Sequence, residues 1–118
     1  MGHPLENNLY VLDAARDVVP ATFIEWATFF EDGKVRQVDL TRLPLANVST
    51  VFLGFDYGHG LTSRPVVFET AIFMASNNPD DGGLRWMKRS CTWAEAQAVH
   101  DEAVREALKM HEGAEGAG

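Results

Sequence analysis

The chain has one cysteine, Cys91, so no intramolecular disulfide can form, and at 118 residues it is long enough for a core that needs no such staple. No apolar run approaches the roughly 20 residues of a membrane span. The opening Met1–Asn8 lacks the basic start and apolar stretch of a signal peptide. These absences predict a soluble protein of a reducing cytoplasm, the host cytoplasm if a phage encodes it, with no membrane partner. Basic residues are also scarce. Ten Lys and Arg against 17 Asp and Glu give a net charge of −7, which argues against direct, sequence-blind nucleic-acid binding. The same charge fits a solvated acidic surface, a basic protein partner or a surface that imitates nucleic acid.

Motifs of known chemistry are missing as well. There is no P-loop, no G-x-G-x-x-G after a strand, no H-E-x-x-H and no G-x-S-x-G, so neither cofactor nor metal is expected. Gly54, Gly58 and Gly60 precede no helix start and read as backbone freedom in a strand connection rather than a phosphate cradle. Lys88 and Arg89 stand close enough to lower the pKa of Cys91, but no catalytic motif surrounds it.

What the chain does contain is 46% apolar residues arranged in periodic segments, the pattern of one folded domain over residues 9–110. Residues 1–8 read as a flexible N-terminus and 111–118 as a disordered tail, since HEGAEGAG has no large apolar group to offset its ordering entropy. LYVLD (9–13) predicts a short strand. Thr22 and Glu25 have capping-box spacing before a helix whose Phe23, Trp26, Ala27 and Phe30 share one face. KVRQVDLT (34–41) suggests an edge strand. Two strongly apolar strands follow, VSTVFLGFD (48–56) and PVVFETAIFM (65–74), both apolar on two faces and therefore expected to be covered on both, by helices on one side and by a second subunit or loops on the other. After the turn-forming residues 76–83, LRWMKR (84–89) reads as a last strand. Thr92 and Glu95 form a second capping box opening the longest helix, to about Met110, with Trp93, Ala96, His100, Ala103, Val104, Ala107 and Leu108 on its apolar stripe. The expected fold is α+β: an antiparallel sheet of four to five strands with two helices, the C-terminal one longest. A homodimer or higher oligomer is expected from the two-sided strands.

Polar residues inside and beside the apolar strands are the candidates for chemistry. Asp56 and His59 are three residues apart around a turn and suit acid–base work or half a metal site. Glu69 lies within an apolar strand, where a buried carboxylate must be hydrogen-bonded or shift its pKa upward. It reads either as a ligand-binding or general-base group, or as a carboxylate capped by Thr50, a tryptophan N–H or His100, or exposed on a sheet rim. Hairpin geometry places it away from His59, against a three-ligand metal site. His100 on an apolar helix face reads as a satisfied core histidine. Phe52, Phe55, Tyr57, Trp86 and Trp93 pack a core or line a pocket for a nucleobase, with Arg64 or the Arg85–Arg89 group meeting phosphate. The candidate ligand-binding set is therefore Asp56, Tyr57, His59, Arg64, Glu69 and Trp86.

YVLD, the Pro20…Trp26 helix, VSTVFLGFD, PVVFETAIF and TWAEAQAVHDEAV together resemble an uncharacterised family of small bacteriophage and bacterial proteins, over most of residues 9–105. The resemblance implies a mobile-element origin and carries over no catalytic residue; FDYGHGLTSR looks like the variable part. Beside a structural or virion-associated part, three readings follow. The first is a phage-type accessory protein, in counter-defence for example, that inhibits a host protein or complex. The second is a protein that sequesters a nucleotide-like signalling molecule. The third is a small hydrolase or nucleotide-modifying enzyme using Glu69 or Asp56 with His59.

Overall fold

The computed structural model describes residues 8–74 and 83–117, with side chains to Met110. Among these residues the fold is α+β, with two helices and six strands in two antiparallel sheets. Strands β1 (Tyr10–Leu12) and β2 (Val18–Pro20) form a small hairpin. The Asp13 carboxylate fixes its turn by accepting the N–H groups of Ala15 and Asp17, both at 2.9 Å. Helix α1 (Phe23–Phe29) follows, then a 3-10 turn (Gly33–Arg36). The main sheet has strands β3 (Gln37–Arg42), β4 (Ala46–Phe52), β5 (Phe68–Met74) and β6 (Leu84–Ser90) in sequential order, every pair antiparallel. Helix α2 (Trp93–Ala117) lies across it. The first strand is thus outside the main sheet, which has four strands, and residues 37–42 take the edge position expected of 34–41.

Helix α1 has its complete capping box. Thr22 Oγ1 accepts the Glu25 N–H at 3.2 Å and Glu25 returns the bond to the Thr22 N–H at 2.9 Å. Its buried face differs from the expected one, because Phe23 is exposed while Trp26, Phe29 and Phe30 turn inward. A seven-residue helix at the sheet's end has too little length to bury two full turns. At α2 the Thr92 hydroxyl accepts the Glu95 N–H at 3.1 Å, but the Glu95 carboxylate reaches the Cys91 N–H instead of completing the box. The helix continues to Ala117, past Met110 and through the segment expected to be disordered. Each residue added to an existing helix gains a hydrogen bond, and no proline interrupts it. The expectation for residues 1–7 and most of the 76–83 turn lies outside the described residues. Asn8 is fixed through its carbonyl, which accepts the Asp56 N–H at 3.2 Å.

Strand alternation sorts the main sheet into two unlike faces. Ala46, Val48, Thr50 and Phe52 of β4 and Phe68, Thr70 and Ile72 of β5 point under the helices and are buried. Ala96, His100, Ala103 and Ala107 of α2 meet them, and the alanines let the helix axis approach closely; Leu108 falls off this stripe. Two apolar clusters result. One holds Ala46, Val48, Ile72, Ala103 and Ala107 with Trp86 against it; the other holds Phe52, Val67, Phe68 and Ala96 with Phe29, Phe30 and Trp93. Between them His100, 1% exposed, is held at both ring nitrogens: Nδ1 lies 2.7 Å from Thr50 Oγ1 and Nε2 lies 2.9 Å from Thr41 Oγ1. Thr50 and Thr70 share a further bond of 2.8 Å. No described helix or strand packs across the second face, although Ala71 on it is only 3% exposed; among the described residues loops do not supply the expected second cover, which leaves the alternative of a second subunit.

Candidate binding surface

The strand registers define the uncovered face as three rows. The middle row reads Leu40, Ser49, Ala71 and Met87; one flanking row reads Arg42, Asn47, Phe73 and Leu84; the other reads Gln37, Val51, Glu69 and Arg89. Leu40, Phe73, Leu84 and Met87 are each 40–52% exposed. In the polar row Arg89 Nε donates to Glu69 Oε2 at 3.2 Å. Glu69 is therefore a half-buried carboxylate with a cationic partner on a sheet face. Arg89 also lies over the Tyr57 ring, 4.8 Å from its centroid, and so ties this row to the loop between β4 and β5.

That loop is built by Asp56. Its Oδ1 accepts the N–H groups of Gly58 at 2.8 Å and Val66 at 2.9 Å, and its Oδ2 accepts that of Gly60 at 3.1 Å. Burial pushes the carboxyl pKa up, but these three backbone bonds outweigh it and hold the group below its ordinary value. The chain reverses through left-handed residues at His59 (φ 53°) and Gly60 (φ 76°). Upstream, Gly54 (φ 77°) ends β4 well before Asp56, and its carbonyl accepts the Trp26 indole N–H at 3.2 Å. Phe55 packs against Trp26 edge to face with centroids 5.1 Å apart. Asn8, Phe55, Asp56, Tyr57 and His59 then surround a pocket of about 400 Å³.

The structure brings together Asp56, Tyr57 and His59, and connects Glu69 to them through Arg89. It places the other two candidates elsewhere. Arg64 bonds Glu95 at 2.8 Å. Trp86 packs on the helix-covered face against the Ala46–Ile72 cluster. The basic group around it is divided by strand alternation: Lys88 meets Glu102 of α2 at 3.2 Å while Arg89 faces the other way. Cys91 departs from expectation too, since burial raises its thiol pKa against the opposing pull of Arg64. Among the described residues no group of three or more His, Cys, Asp or Glu could hold a metal ion. Also among them, no helix is long and apolar enough to cross a membrane. The residues that sequence reasoning missed are Leu40, Met87 and Leu84 on the open face and Asn8 at the loop, while Arg89, expected to meet phosphate, instead meets Glu69 and Tyr57. Only the pairing register, absent from any single strand's pattern, puts them side by side. No protein-family model, curated protein or solved structure matches the chain.

Proposed function

We propose that this chain is a small accessory binding protein that docks a partner protein on the open sheet face and the adjoining Phe55–His59 loop. Its resemblance to small phage proteins suggests a role in inhibiting a host protein or complex. The observation that carries this reading is the row arrangement, which sets Leu40, Phe73, Leu84 and Met87 on one uncovered surface. A sheet with one apolar face buried normally presents polar residues on the other, so a second apolar set points to a partner. Arginine, methionine and aromatic side chains, all present here, are the types enriched in interfaces.

The edges of the sheet argue for docking by the face rather than by strand addition. A register shift interrupts β3 between Gln37 and Asp39, and another sits where β6 passes Ile72 and Phe73, while β6 also carries Lys88 and Arg89. Four strands of about six residues span roughly 400 Å², against about 800 Å² per side in a standard interface. A stable complex therefore extends onto the loop. Catalysis by Glu69 or Asp56 with His59 has less support, since both carboxylates are engaged within the fold. Nucleotide sequestration has less as well, because Arg64 and Arg89 already face carboxylates.

The test is a comparison of wild type with the Phe73→Thr/Met87→Thr double variant, which removes apolar area while keeping strand-compatible residues. The expected result is a stoichiometric complex with a host protein that the variant weakens at least tenfold. Equal retention by both proteins contradicts the reading. A concentration-dependent homodimer that the variant dissociates would assign the face to a second copy instead.

A further inference from the structure

The loop pocket has an electrostatic character that narrows what it accepts. Two of its walls are the rings of Phe55 and Tyr57, 40% and 42% exposed, and an aromatic face carries negative electrostatic potential. Its acidic element is Asp56, 8% exposed, whose hydrogen bonds all come from backbone amides. Amides orient and stabilise a carboxylate without cancelling its net charge, and no ion pair among the described residues involves Asp56. The charge reaches outward: it adds to burial in raising the Tyr10 hydroxyl and contributes to raising the Cys91 thiol. Two arginines of this region do not offset it, since Arg89 is matched by Glu69 and Arg64 by Glu95. A phosphate or carboxylate entering this pocket would meet the Asp56 charge and the π faces, with His59 as the basic side chain among the described lining residues and no unpaired arginine to receive it.

Building on the binding role proposed above, we infer that the Phe55–Asp56–Tyr57–His59 pocket receives an arginine side chain of the partner protein. A guanidinium is flat, weakly hydrated and attracted to aromatic faces, so it suits ring walls better than an ammonium does. Tyr57 already holds one guanidinium, that of Arg89, against its ring in the free protein. The net charge of −7 draws a basic segment toward the molecule from a distance. The Asp56 bonds fix the loop before the partner arrives, so little ordering is required on binding.

The test is an NMR titration of the full chain with N-acetyl-argininamide, with its neutral isostere N-acetyl-citrullinamide and with adenosine monophosphate. Saturable shifts at the Phe55 and Tyr57 ring protons with the argininamide, at least fivefold weaker with the citrulline compound, are expected. Tyr57→Ala should weaken argininamide binding about three- to tenfold, and Tyr57→Phe should restore it. Equal binding of the citrulline compound, stronger binding of the nucleotide, or no saturable shift overturns the inference. The citrulline comparison is made on wild type, so it stands even if Tyr57→Ala fails to fold. A failed titration with a host complex that still depends on Phe73 and Met87 would reject the arginine pocket alone. Loss of that dependence would reject the binding reading.

Discussion

At the scale of single residues, three polar side chains account for much of the specificity of this core. His100 is buried with a partner at each ring nitrogen, and Thr50 links it to Thr70. Thr50→Val keeps the side-chain shape but leaves the His100 Nδ1 and the Thr70 hydroxyl without their partner. It should lower unfolding free energy by about 1–3 kcal/mol in denaturant titration. Asp56→Asn replaces one acceptor oxygen with an NH2 group facing backbone N–H donors, with a similar loss of about 1–3 kcal/mol at neutral pH. The sign of its pH dependence follows from the lowered folded-state pKa. The stabilisation by Asp56 is fully present above the ordinary carboxylate range and is lost as pH falls through the folded value. The gap between wild type and Asp56→Asn should therefore be constant above about pH 5 and narrow below about pH 4. A gap unchanged down to pH 2 would contradict this role. The satisfied His100 and the turn around Asp56 were legible in the sequence. The engagement of the Asp56 oxygens with Gly58, Gly60 and Val66 was not, because it depends on how the chain returns ten residues later.

At the scale of elements, local rules gave starts better than they gave partners. The capping-box spacings at Thr22 and Thr92 located both helix starts, although only the first forms the full box, and alternation located β4, β5 and β6. Alternation did not reveal that β4 stops at Phe52, since Leu53 and Phe55 continue the apolar pattern past the chain's change of direction. Gly54 explains that break. A Cβ there would lie 2.6 Å from a Phe30 ring atom and 2.7 Å from Trp26 Nε1, at a φ that disfavours any side chain. Gly54→Ala should destabilise by at least about 2 kcal/mol, read as a lower thermal midpoint, and should disturb the packing of α1 on the loop. An unchanged midpoint would mean that α1 is not seated on Gly54 as described. Burial on both faces of β4 and β5 was expected from helices on one side and from loops or a second subunit on the other, and among the described residues of this chain only the helix side is closed. Apolar residues on a strand's second face record that something covers them and leave open whether it belongs to the same chain.

At the scale of the whole molecule, an acidic chain presents one sheet face on which large apolar groups stand beside a Glu69–Arg89–Tyr57 rim. Because Phe73 and Met87 are exposed, the Phe73→Thr/Met87→Thr variant should fold with a stability within about 1 kcal/mol of wild type while losing its partner. Loss of folding in that variant would show the face to be a structural part of the isolated domain. The most direct test of the central claim is the rate of Met87 oxidation by peroxide in the dilute purified protein and in the presence of host extract. Met87 is 40% exposed on the free face, so a covering partner must slow its reaction. The account predicts Met87 reactive in the dilute protein and several-fold protected in the extract, with the half-buried Met74 and Met110 changing less. Equal Met87 rates in both would contradict it.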